Sequence, residues 1–151
     1  MPLVSRIQPS TSLAPRLRAL IEDAVERADG TIGEAELQYI AERIESKLMT
    51  LNMSATYWVR AELARVATAL HLIMTDHLDG SLNLSEREIQ AVGVALHYLV
   101  NPFDVIPDYV VAEGYLDDAV VMNWCLRKLE RSRPALIKRY LRVATKRTGV
   151  L

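Results

Sequence analysis

Four aspartates fall within fifteen residues of this 151-residue chain: Asp104, Asp108, Asp117 and Asp118. Clustered oxygen ligands hold hard divalent cations such as Mg²⁺, Mn²⁺ or Ca²⁺. Paired cations over such a cluster are the apparatus of phosphate-ester hydrolysis. The same residue type also does a plainer job. An aspartate at a helix start caps free amides and faces the positive end of the helix dipole. In a third reading the acids hold an arginine from the basic tail or from a partner. All three readings stay open at the level of the sequence.

The second chemical feature is cationic. Residues 127–151 hold nine Lys and Arg against one acid, Glu130, a net +8, whereas residues 1–126 sum to −9. From Pro134, the residues Ile137, Tyr140, Leu141 and Ala144 fall on one helical stripe, flanked by Lys138, Arg139, Arg142, Lys146 and Arg147. A basic amphipathic helix of this kind docks on a partner, lies on an anionic membrane or binds nucleic acid. An unknown protein partner is the leading expectation and an anionic membrane surface the second. The acidic remainder of the chain would repel nucleic acid, which disfavours that partner. The plainer alternative is that the stripe completes a core while the charges face water.

Several reaction classes lack their residues. The single cysteine, Cys125, excludes an internal disulfide and a thiolate metal site, and it sits beside Trp124 in an apolar stretch as a small core residue. His71 and His77 are six apart, on different faces of a helix, which is not a zinc spacing. There is no Gly-rich phosphate loop, no Gly-x-Ser-x-Gly elbow and no His-Glu-x-x-His. The longest nearly apolar run, 91–100, is interrupted by His97 and is too short to span a bilayer. The first residues carry no apolar signal region. The expectation is a cytoplasmic protein, membrane-peripheral if the basic helix meets lipid, and more a binding module than an enzyme.

The elements that must position these residues are helices. Half of the chain is apolar and a quarter charged, a globular composition. Residues 1–14, with Pro2, Pro9 and a Ser-Thr-Ser stretch, read as a loose arm. Apolar residues then recur at three- and four-residue spacings: Leu17, Leu20, Ile21 and Val25; Leu37, Ile40, Ile44 and Leu48; Leu63, Val66, Leu70 and Ile73; Ile89, Val92, Leu96 and Leu99; Val120, Val121, Trp124 and Leu129. Asp29-Gly30 and Asp79-Gly80 stop helices, with glycine free to take positive φ. Thr31 with Glu34, and Ser85 with Glu88, have capping-box spacing. Asn101-Pro102 ends the fourth helix, because the residue before proline is pushed out of the α region. No stretch alternates with period two. The fold expected is all-α: a single-domain bundle of six or seven helices over 15–148, with short antiparallel connections and an ordered Pro/Asp-rich turn. It divides into paired helix-turn-helix units over 15–100, a motif region over 96–130 and the basic helix over 133–147.

Two resemblances add to this. The turns DGTIGEAE (29–36) and DGSLNLSE (79–86) echo one another and are similar to the second half of an EF-hand loop and to the loops of TerB-like domains. Their first halves place Val25, Arg27, Thr75 and His77 where acidic ligands belong, which costs most of the affinity for a hard cation. The stretch YLVNPFDVIPDYVVAEGYLDD (98–118) resembles the motif of the YkvA-like bacterial family of unknown function. Tyr98, Leu99, Pro102, Asp104, Ile106, Pro107, Asp108, Gly114, Asp117 and Asp118 match it in order and spacing. That resemblance implies no reaction; the description of many relatives as membrane-associated implies contact with a membrane.

Overall fold

The computed structural model describes residues 15–53, 58–101 and 116–148. They form six helices: α1 (Pro15–Ala28), α2 (Glu34–Met53), α3 (Trp58–Leu78), α4 (Glu86–Val100), α5 (Leu116–Ser132) and α6 (Pro134–Thr148), with no strand among the described residues. The expected arm (1–14) and Pro/Asp-rich turn (102–115) lie outside the described residues.

Helix boundaries follow local chemistry. Gly30 and Gly80 adopt φ of +93° and +87°, a region closed to most side chains, and each ends a helix. Ser85 caps α4: its hydroxyl accepts from the Glu88 amide, and the Glu88 carboxylate accepts from the Ser85 amide at 2.8 Å. Asn101 leaves the helix in extended geometry (φ −79°, ψ 126°), as the residue before a proline must. The first turn departs from expectation. The Thr31 hydroxyl donates backwards to the Ala28 carbonyl at 2.6 Å, closing α1, while the Gly33 amide donates to the Glu36 carboxylate at 2.6 Å. Thr31 and Glu34 therefore form no box. The short segment between α1 and α2 leaves Thr31 nearer the orphan carbonyls of α1 than the orphan amides of α2.

The core is one cluster to which every helix contributes. α3 is central and packs against α2, α4, α5 and α6. Its Leu63, Leu70, Ile73 and Met74 are fully buried, each contributing roughly 1.5–3 kcal/mol by burial. The expected faces of α4 (Ile89, Val92, Leu96 and Leu99) and α5 (Val120, Val121, Trp124 and Leu129) are inside. Leu20 is the exception on α1, half exposed to water, while Ile21 and Val25 carry that helix's burial.

Neighbours in sequence are not always neighbours in space. α1 packs chiefly on α5, and α2 on α4 and α3. α4 reaches the turn between α1 and α2 and holds it. The Gln90 carboxamide, 6% exposed, accepts from the amides of Gly30 (3.0 Å) and Ile32 (2.9 Å) and donates to the Ile32 carbonyl (2.6 Å) and to Glu86 (3.0 Å). One turn further on, Ile32 lies over Gly93, where a Cβ would fall 2.6 Å from the isoleucine Cγ2. α1 meets α5 along a charged seam: the Trp124 indole donates to Glu26 at 2.8 Å, with Arg127 near Glu22 (3.3 Å) and Lys128 near Asp29 (3.7 Å).

Candidate docking surface

The orientation of α6 is set at its first residues. Glu88, buried in the first turn of α4, accepts from the Ser132 hydroxyl at 3.0 Å and pairs with the Arg133 guanidinium at 3.0 Å. Arg133 also donates to the Asn83 carbonyl at 2.7 Å, so the α5–α6 corner is tied to the second Asp-Gly turn. Burial alone would push the Glu88 carboxyl up, but the Ser85 amide, the Ser132 hydroxyl and Arg133 outweigh it and hold it below the usual carboxylate value. Pro134 then opens α6, at a position where its missing N–H costs nothing.

From this corner α6 turns one face fully inward. Leu136, Ile137, Tyr140, Leu141 and Ala144 are buried against α3 and α5. The Tyr140 hydroxyl donates to Asp76 of α3 at 2.5 Å, fixing the register of the two helices. Burial, then the hydrogen bond and the charge of Asp76, push the Tyr140 phenol up, with Arg139 opposing. The helix period then leaves Lys138, Arg139, Arg142, Lys146 and Arg147 exposed on the outer face. Among the described residues none of these five forms an ion pair. Val143, 40% exposed, is the apolar residue among them.

Beside this face runs a groove between α3 and α6 of about 490 Å³, bordered by Leu72, Asp76, Ser81, Arg139, Tyr140, Val143 and Arg147. Arg139, Val143 and Arg147 stand at four-residue steps along its rim. The spacing was visible in the sequence, but the opposing wall from α3 was not. A second cavity of about 560 Å³ lies between the first turn of α4 and the end of α5, lined by both signs of charge, including Asp29, Glu86, Arg87, Lys128 and Arg131.

The other chemically suggestive residues are placed as follows. Asp104, Asp108 and the Asp117 side chain lie outside the described residues, whereas Asp118 is buried in the first turn of α5 at 3% exposure. Among the described residues no three His, Cys, Asp or Glu side chains gather as a metal site. The Asp-Gly turns spend their polar groups internally. Val25 is core, Arg27 pairs with Asp23, the Asp79 carboxylate accepts from the Ser81 amide and hydroxyl, and His77 Nδ1 accepts from the Leu84 amide at 3.1 Å. His97 lies tilted against Tyr39, with ring centroids 5.3 Å apart. Half-burial lowers the His71 pKa, with Glu45 opposing and Arg147 adding to the shift. Cys125 is fully buried, and burial pushes its thiol far up, away from the nucleophilic thiolate. No helix among the described residues is long and apolar enough to cross a membrane.

Comparison with known proteins places the motif region. Residues 89–124, which comprise most of α4, the segment after it and the first half of α5, match a family described as a protein of unknown function, DUF1232. The chain is similar to the uncharacterized membrane protein YkvA of Bacillus subtilis, 32% identical over 69 residues, which is 44% of this chain. The match spans 65% of that relative's length. No solved structure matches the chain. Helix α6 lies outside the family segment on its C-terminal side, and the residues of the opposing groove wall, Leu72, Asp76 and Ser81, lie before it.

Proposed function

Because the chain carries a YkvA-like segment of the DUF1232 family, we propose that it is a non-catalytic interaction module that docks on an anionic membrane surface through the outer face of α6. The observation that carries this reading is the division of labour on α6. Its apolar stripe is consumed by the core, and five cations remain exposed to solvent. A free amphipathic helix would bury its apolar face in lipid. This one has no such face to offer, so its attraction is electrostatic and salt-sensitive. Each Lys or Arg near an anionic leaflet contributes about 1 kcal/mol. The relative's description as a membrane protein agrees with this reading.

Vesicle flotation of the full chain tests it. The protein is expected to float with phosphatidylcholine vesicles containing phosphatidylglycerol, not with phosphatidylcholine alone, and to be released as salt is raised through the range where the Debye length falls below about 8 Å. The triple change Lys138→Glu, Arg142→Glu and Lys146→Glu touches only exposed side chains and should weaken binding by roughly 100-fold or more on the same scale. Equal flotation with both vesicle types, or by wild type and triple variant, refutes the proposal. Charge reversal is preferable to deletion of α6, which would strip the core of Ile137, Leu141 and Ala144.

A further inference from the structure

The cations of α6 are not equivalent. Lys138, Arg142 and Lys146 stand on the open face, whereas Arg139 and Arg147 stand over the α3–α6 groove. They lie eight residues apart, about 12 Å along the helix, with Val143 between them and Leu72 opposite. The groove therefore offers a cation at each end of a short apolar floor. The Arg139 guanidinium rests 5.3 Å from the centre of the Tyr140 ring, and Tyr140 is held by Asp76, so this arginine is positioned before anything binds. The Asp76 carboxylate is engaged by the phenol, on the inner wall. The Ser81 hydroxyl, at the Asp-Gly turn, is spent on the Asp79 carboxylate, so the groove's donors are the two guanidinium groups.

We infer that this groove recognises the phosphomonoester headgroup of an anionic lipid. The inference rests on the membrane-docking reading and narrows it. A terminal phosphate carries up to two charges and three strong acceptor oxygens. Guanidinium forks match that geometry with paired hydrogen bonds, which a carboxylate headgroup uses less fully and a lysine ammonium does not reproduce. Both long side chains close over Val143 from opposite ends, and the Val143–Leu72 floor takes the glycerol carbons next to the phosphate. The open-face lysines and Arg142 supply the general attraction. The two groove arginines supply the choice among anionic lipids.

The test uses the full chain and two vesicle types matched in zeta potential, phosphatidylcholine doped with phosphatidate or with oleate. Wild type is expected to bind the phosphatidate vesicles about fivefold or more tightly, since bidentate phosphate pairing exceeds point-charge attraction. Arg139→Lys with Arg147→Lys conserves net charge at exposed positions. It should melt with wild type, bind both vesicle types and lose the preference. Arg142→Lys, outside the groove, should keep it. Equal binding of the two vesicle types by wild type overturns the headgroup inference while leaving membrane docking intact; binding to neither overturns both. Free glycerol 3-phosphate bound as tightly as phosphatidate vesicles would mark a soluble-ester site and overturn the lipid assignment.

Discussion

Gln90→Leu replaces a buried carboxamide with a side chain of similar size that makes no hydrogen bond, and removes the α4 side chain that satisfies the first Asp-Gly turn. Three backbone groups lose a partner, the Gly30 and Ile32 amides and the Ile32 carbonyl, together with the bond to Glu86. Each backbone bond contributes about 1 kcal/mol net, and more when its partner is stranded out of water. Gly30 is exposed and Ile32 half-buried, so water recovers part of the loss. The expected destabilisation is roughly 2–3 kcal/mol, a fall in Tm of about 5–10 °C for a chain of this size. Urea unfolding measures the first figure and calorimetry the second. Hydrogen exchange should show protection lost at Gly30 and Ile32 and retained at Leu70 and Ile73 in the core. Gln90→Glu should restore part of the stability at acid pH, where the introduced carboxyl can donate to the Ile32 carbonyl, and lose it as that carboxyl ionises beside Glu86. A Gln90→Leu protein that melts within about 1 °C of wild type, with both turn amides still protected, refutes the latch.

Three further outcomes follow from the same packing. Gly93→Ala gains about 1 kcal/mol in helix propensity, yet should destabilise by about 1–3 kcal/mol net, because its Cβ would overlap Ile32, whose backbone is clamped; a stability gain in urea melts would show the turn to be loose. Glu88 has a depressed pKa, so its contribution is fully present above the unfolded-state value near 4.5 and lost as pH falls through the lower folded value. Wild type should therefore lose stability below about pH 4.5 more steeply than Glu88→Gln, and parallel pH–stability curves would contradict this. Cys125 should react with a thiol reagent only as fast as the fold opens, with labelling accelerated by urea; prompt reaction in buffer would contradict its burial.

What could be read in the sequence was local. Ser85 and Glu88, Asn101 before Pro102, and glycine after Asp29 and Asp79 mark helix ends through contacts three or four residues long, so residue type and spacing suffice. The inward stripe of α6 was visible for the same reason, since Ile137, Tyr140, Leu141 and Ala144 share a face whatever they meet. Thr31 shows where local reading fails: the same hydroxyl satisfies the end of one helix or the start of the next, and only the path of the turn chooses.

The sequence by itself determined that the chain is helical, where the helices stop, and that one helix carries cations around an apolar stripe, because each of these is settled within a turn or two of backbone. Tertiary structure decided which helices meet, through pairings 58–98 residues apart such as Gln90 with Ile32, Tyr140 with Asp76 and Trp124 with Glu26. Those pairings carry no periodic signature, because a side chain's distant partner depends on how whole faces dock. The stripe of α6 became core, and two of its cations became the rim of a groove, only when α3 supplied the opposing wall.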